Sequence, residues 1–322
     1  MTDDNDNKEK TPDNSFEQVL ASEVARELLI EQRRARRWGI FFKLLLALYL
    51  FSFLLIYLSN NLQFEASTIG VGKHTAVIDI NGVISADSEA NADSIITGLR
   101  AAFENKKTAG IIIRINSPGG SPVQAGYVND EIHRLREKYP DIPVYAVIRD
   151  ICASGAYYIA VAADQIYADK SSLVGSIGVI MSGFGFVDAM DKLGIERRLL
   201  HAGKNKGFMD PFSPLKEEEV AHVDSMLQEI YQQFIDIVKE GRGDRLADND
   251  NLFSGLIWTG EKSMELGLVD ALGSTSYVAR EVIGEEDIVD FTYRESYLDR
   301  FADRLGTSLA NRLYSLANFH LN

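Results

Sequence analysis

The sequence is short of the residues on which several chemistries depend. Among its 322 residues there is one cysteine, Cys152. A single thiol cannot close an intrachain disulfide, so stability has to come from a buried core; an oxidising compartment stays open to the chain. Basic residues run behind acidic ones, 33 against 47, for a formal net charge of −14. That balance argues against a nucleic-acid partner, which needs a basic surface to neutralise phosphates. Histidine is scarce too: His74, His133, His201, His222 and His320 are the full set. None has an evident orienting carboxylate beside it in a loop, so a Ser-His-Asp arrangement lacks its middle member. No glycine pair leads into Gly-Lys-Ser/Thr, so a P-loop is poorly supported. Nothing calls for a metal or an organic cofactor.

What is present is the composition of a globular protein, 46% hydrophobic and 25% charged. At roughly 100–200 residues per domain, the length admits one large domain or two modest ones. One long hydrophobic run stands out. Residues 44–58 read LLLALYLFSFLLIYL, without a charge. Counted over residues 38–59, the segment reaches the roughly 20 residues that span a bilayer, with Lys43 placed to snorkel. Arg33, Arg34, Arg36, Arg37 and Lys43 crowd its N-terminal side, and no base follows until Lys73. The positive-inside rule then keeps the N-terminus in the cytoplasm and puts residues 60–322 outside it. The run starts too late for a signal peptide, and no small-x-small cleavage site directly follows it. The expected organisation is a polar tail over 1–37, an anchor over 38–59, a tether over 60–73, a catalytic domain over 74–295 and an amphipathic helix over 296–322.

Strands and helices alternate through the exported part. Strands are expected over 76–80, 110–115, 143–148 and 165–168, and helices over 92–105, 123–138, 154–163 and 215–240. The second strand, Gly110-Ile111-Ile112-Ile113-Arg114-Ile115, is a near-continuous apolar run, as a parallel strand buried on both faces requires. The β-α-β-α-β rhythm predicts an α/β fold with a parallel-rich sheet, right-handed crossovers and flanking helices, preceded by one transmembrane helix. The helix over 215–240 opens on Glu217, Glu218 and Glu219, which suit its dipole. It carries an apolar stripe of Val220, Val223, Leu227, Ile230, Phe234 and Ile237.

Three loops carry chemistry, the first two directly after strands, where open α/β sheets place their sites. Asn116-Ser117-Pro118-Gly119-Gly120-Ser121 can aim backbone N–H groups at an oxyanion, or be a tight turn. Cys152-Ala153-Ser154-Gly155-Ala156 sets a serine between small residues at a strand-to-helix turn. That is a nucleophile's position or simply a helix N-cap. It is not Gly-x-Ser-x-Gly. Cys152, with no basic neighbour, reads as a small packing residue. The third loop, His201 to Phe212, holds Lys204 and Lys206. A lysine serves as general base only when neutral, which requires burial or dipoles to lower an ordinary pKa of about 10.4. Phe208, Met209 and Phe212 would supply such a cover; solvated surface charge is the plainer reading.

Four segments nevertheless occur in a telling order: Asn116-Ser117-Pro118-Gly119-Gly120, Ala153-Ser154-Gly155-Ala156-Tyr157-Tyr158, Gly175-Ser176-Ile177-Gly178-Val179 and Gly203-Lys204-Asn205-Lys206. Together, over roughly residues 74–290, they resemble the signal peptide peptidase A (protease IV) family, a membrane-anchored branch of the Clp-protease/crotonase-like fold. The resemblance implies a serine endopeptidase with a Ser-Lys dyad, Ser154 as nucleophile and Lys206 as base, with Lys204 the nearest rival. It implies an oxyanion hole from Gly119 and Gly120. Ser176 is expected to support the lysine through its hydroxyl. The family's long members carry two copies of the fold, and this chain resembles the half-length form, which implies a homo-oligomeric ring whose subunits complete one another's sites. Peptide substrates, remnant signal peptides among them, and a place in the bacterial inner membrane are implied by the same resemblance, with lipid contacted through the anchor. The alternatives are a SohB-like protease of different range, an acyl-CoA-binding crotonase relative and an inactive membrane scaffold.

Overall fold

The computed structural model describes Arg26, residues 31–34, 36–55 and 72–294. Two units partition the chain, Met1–Ala66 and Ser67–Asn322. In the first, helix α1 (Glu31–Leu55) is long and apolar enough to cross a membrane, with mean hydropathy 2.0 over a stretch that buries nothing. It begins earlier than the anchor expected over 38–59 and takes in the arginine-rich flank. Residues 56–59, most of the polar tail, the tether to residue 71 and the leucine-bearing segment over 296–322 lie outside the described residues.

The second unit is built on one sheet. Its strands are β1 (His74–Asn81), β2 (Thr108–Ser117), β3 (Val144–Ala153), β4 (Gln165–Ala168), β5 (Leu173–Gly175), β6 (Ile257–Thr259), β7 (Ala271–Leu272) and β8 (Ile288–Asp290). The order is β6-β5-β3-β2-β1-β8, with β4 joining β3 to β7. Only the β5–β6 pair is antiparallel among the pairings described. The helices are α2 (Ala92–Glu104), α3 (Pro122–Lys138), α4 (Gly155–Ala160), α5 (Val187–Lys192), α6 (Glu217–Arg242), α7 (Gly260–Glu265) and α8 (Thr275–Tyr277).

The apolar runs explain the sheet. Ile78 and Ile80 of β1, Ile111, Ile113 and Ile115 of β2, and Ala146 and Ile148 of β3 point into one core with Leu99, Ile132 and Ile159 of the helices. Val77, Ile112 and Val147 point the other way, onto Val278 and Ala279. Strands covered on both faces tolerate no polar alternation, hence Ile-Ile-Ile. Local signals set the helix starts. Asn91 accepts a hydrogen bond from the Ser94 amide, and Ser121 caps α3 ahead of Pro122.

An irregularity in β3 makes room for the site. Ile115 pairs with Ile148, but Ser117 pairs with Cys152. Residues 149–151 thus face the single residue Asn116, two residues extra, and form a bulge, which bends a strand and re-aims the residues beyond it. Before the bulge β3 pairs with β4, and after it with β5.

Helix α6 departs from expectation along its length. It runs from Glu217 to Arg242, two residues later than its apolar periodicity suggests. Its buried residues include Phe234, Ile235 and Val238 in the C-terminal half, whereas Val220 and Met226 in the N-terminal half are exposed. Of the expected stripe, Val223 and Phe234 are buried, Leu227, Ile230 and Ile237 are half-buried, and only Val220 is exposed. Its C-terminus is locked by a buried ion pair. Arg242, 1% exposed, bonds both oxygens of Asp270 at 2.8 and 2.9 Å and the Gly267 carbonyl at 2.8 Å. Burial works to raise the Asp270 carboxyl, but Arg242 and the Ile166 amide override it and hold it below its ordinary value. Stability from such a group is complete above its unfolded-state pKa and is lost as pH falls through the folded one. Asp270→Ala strands the Arg242 charge and is expected to cost about 3–5 kcal/mol, read as a lowered thermal midpoint. Below about pH 4, where the carboxyl of the unfolded chain begins to protonate, the gap between wild type and variant narrows.

Candidate active site

The bulged end of β3 delivers Ser154 into the turn before α4. Its backbone adopts φ 54° and ψ −126°, a region that costs a non-glycine residue about 1–3 kcal/mol and recurs at active sites. Its amide donates to the Gly175 carbonyl at 2.9 Å. A capping serine would sit in extended conformation and accept a helix amide with its hydroxyl; Ser154 does neither, and only its carbonyl takes the Tyr157 and Tyr158 amides. The plain N-cap reading therefore fails.

The glycine loop packs directly on this turn. A side-chain carbon on Gly119, at φ 95°, would lie 2.5 Å from the Ala153 carbonyl oxygen and 2.8 Å from the Ser154 Cβ. One on Gly120 would collide with the carbonyl of Ile84, which forms a short parallel bridge with it. The two amides differ in availability. Gly119 donates to Ser117 Oγ at 3.1 Å, whereas the Gly120 N–H has no partner among the described residues. The Gly155 N–H, at the start of α4, has none either. A Cβ on Gly155 would lie 3.3 Å from the Gly120 nitrogen, so the two glycines sit close together beside Ser154. Of the two expected oxyanion donors, the Gly119 amide is already bonded within its loop, while the Gly120 amide is without a partner among the described residues.

Ser176 lies next to this turn. Its φ is 52°, its amide donates to the Leu256 carbonyl at 2.8 Å, and the indole of Trp258 closes on Gly175 beside it. Cys152 is fully buried, and burial alone pushes its thiol far above the ordinary range. That makes it a packing residue and no nucleophile. Histidine is no nearer: His74 opens β1 at the opposite end of the strands, and exposed His201 lies with its Nδ1 3.0 Å from the Gly203 carbonyl.

The lysine loop lies elsewhere. Lys204 pairs with Glu218 at 3.2 Å on the surface. Lys206 is exposed, and among the described residues its ammonium makes no hydrogen bond or ion pair. The aromatic residues expected to cover it are engaged otherwise, Phe208 against His222 and Phe212 against Phe186. The loop docks on the start of α6 through Phe208–His222 and through Met209, whose amide donates to Glu219 at 3.2 Å. By contrast α4 packs on the far part of α6, with Tyr158 against Phe234 and Val161 against Gly241. From Glu219 to Phe234 the helix measures about 22 Å at 1.5 Å per residue. Within one chain, then, the structure assembles Ser154, Gly119, Gly120 and Ser176 but does not bring Lys206 to them.

The segment between, residues 178–215, buries little against its own domain. Ile180, Phe184, Leu193 and Leu200 are 90, 82, 73 and 95% exposed, and α5 has no buried residue.

The chain is similar to known proteins. The model of peptidase family S49 matches residues 136–288. A protein of Enterococcus faecium named "Putative signal peptide peptidase SppA" is 30% identical over 250 residues, 75% of this chain and 72% of that one. Protease 4 of Haemophilus influenzae is 30% identical over 203 residues, 62% of this chain and 32% of the relative. A Brucella abortus protein named for Na(+)/H(+) antiport is 44% identical over 188 residues, 58% of this chain, but the match spans only 25% of its length. Gly119→Ala should lower kcat for peptide cleavage by at least about 100-fold, since its Cβ would displace the serine turn that preorganises the site; steady-state kinetics on folded variant protein check this.

Proposed function

The chain belongs to peptidase family S49 and is a serine protease of the Clp-protease-like α/β fold, and we propose that it is a membrane-anchored endopeptidase acting through Ser154 and Lys206. The observation that carries the reading is the strained Ser154 turn beside two amides, Gly120 and Gly155, that have no partner among the described residues. In the reaction, neutral Lys206 takes the Ser154 proton as Oγ attacks a peptide carbonyl. The tetrahedral oxyanion forms against the two amides and the start of α4. The lysine then protonates the leaving amine, an acyl-enzyme forms, and a water activated by the same lysine hydrolyses it. Lys206 is preferred to Lys204 because Lys204 is already paired with Glu218. Ser176 supports the lysine through its hydroxyl.

The base comes from a second copy of the chain. Three observations favour this: the length of α6 between the two loops, the unpaired Lys206, and the uncovered apolar arm over 178–215. Docking of that arm on a neighbour would bury its side chains, exclude water and bring an otherwise solvated lysine into a low-dielectric site, which favours its neutral form. Helix α1 serves as the membrane anchor, with the arginine-rich flank in the cytoplasm and the catalytic domain on the far side of the bacterial inner membrane. A site tethered beside a bilayer suits apolar peptides leaving it, remnant signal peptides among them.

Full-length protein in detergent, given an apolar signal-peptide substrate, tests the reading. Ser154→Ala and Lys206→Ala should each abolish cleavage while remaining folded. Co-assembling the two inactive variants should restore about a quarter of the wild-type rate, because half the serines meet an intact neighbouring lysine only half the time. No recovery in the mixture assigns both groups to one chain.

A further inference from the structure

Among the described residues, three that are not glycine have positive φ: Ser154, Ser176 and Met209. Two belong to the serine site. The third, at φ 53°, lies three residues beyond Lys206, in the loop that meets α6. Strain of this kind persists only where the surroundings hold it, and at Met209 the holder is identifiable. The Met209 amide donates to Glu219 Oε2 at 3.2 Å, and the second carboxylate oxygen takes the Lys216 ammonium at 3.0 Å. Glu219 is 7% exposed, a rare burial for a glutamate. Lys204 with Glu218 is exposed on both sides and contributes little; Asp210 with Arg197 and Ser213, and the Pro211 carbonyl with the Phe186 amide, tie the loop to its own flanks and not to α6.

We propose that Glu219 is a positioning residue for Lys206: from the first turn of α6 it holds the strained Met209 turn, and through it the placement of the lysine. This rests on Lys206 being the base. Acidic residues in a first helical turn are ordinarily explained by the helix dipole, and Glu217 and Glu218, both exposed, fit that explanation. Glu219 differs in being turned inward onto a backbone amide of another segment. Lys216 holds its carboxyl below the usual range, so the acceptor stays ionised at neutral pH and the bond stays charge-assisted. A base working across a subunit contact has no neighbouring strand to fix it, so its aim depends on how firmly its loop is tied to α6.

The test uses full-length protein with the signal-peptide substrate, comparing Glu219→Ala and Glu219→Gln, with Lys206→Ala alongside. Glu219→Ala should lower kcat about 10- to 100-fold at nearly unchanged KM, the range expected when a catalytic group is misplaced by about an ångström. Glu219→Gln, which still offers an oxygen to the Met209 amide, should recover most of that loss. Hydrogen–deuterium exchange across residues 203–213 should accelerate in the alanine variant and stay near wild type in the glutamine variant. Adding Met209→Gly to Glu219→Ala should restore part of kcat, because glycine takes positive φ without strain; this arm also serves if the single alanine variant folds poorly. Unchanged kcat in Glu219→Ala overturns the proposal, and so does a fall in kcat with unchanged exchange. Full activity in Lys206→Ala removes the base itself, and the proposal fails for that separate reason, whatever the Glu219 variants do.

Discussion

The site depends on one backbone conformation, Ser154 at positive φ between β3 and α4. Nothing in the serine itself favours it. It is imposed from three sides: the bulge that re-aims β3, the Gly175 carbonyl that takes the Ser154 amide, and Gly119, whose missing side chain lets the loop close on the turn. A Cβ at Gly119 would strike three atoms of the turn at 2.5–2.8 Å. The two glycines of Pro-Gly-Gly thus do different things. Gly119 is a spacer with its amide already used, and Gly120 presents a free one.

That constraint links the core to the chemistry. The buried isoleucines of β1 and β2 fix the plane of the sheet, and the register of β2 against β3 then decides where the bulge falls. The α4 helix is pinned by Tyr157, whose buried hydroxyl donates to the Leu268 carbonyl at 2.8 Å, beside the Arg242–Asp270 lock. The serine turn therefore sits on a rigid base, as strained functional turns require. The lysine loop has the opposite character: it docks on the first turns of α6, away from α4, and the apolar arm beside it is uncovered. The proposed reading, in which copies of the chain complete one another, joins these two halves.

Much of this is legible in the residues. Continuous Ile and Val runs announce buried parallel strands, and the glycine pair and the serine at strand ends mark the site. Helix α4 is shorter than its composition suggests, because Ala160-Val161-Ala162-Ala163 looks helical while the chain there turns toward β4. The Gly155 amide escapes a linear reading although it directly follows Ser154; its importance appears only when the Gly120 nitrogen is seen across from it. A cover over Lys206 from Phe208, Met209 and Phe212 is a local inference, and tertiary contacts draw Phe208 and Phe212 to His222 and Phe186 instead. Glu219 passes in sequence for a helix-dipole residue, since spacing cannot distinguish an outward carboxylate from one turned onto a neighbouring amide. Composition and spacing report what a segment buries, not which distant segment it meets.

The central claim is that Ser154 is a nucleophile activated by this fold. The most direct measurement is fluorophosphonate treatment of the full-length protein in membranes, with peptide mapping by mass spectrometry. One adduct is expected, on the peptide containing Ser154, and none in Lys206→Ala protein. An adduct on another residue, or equal labelling of Ser154 without Lys206, would contradict the claim.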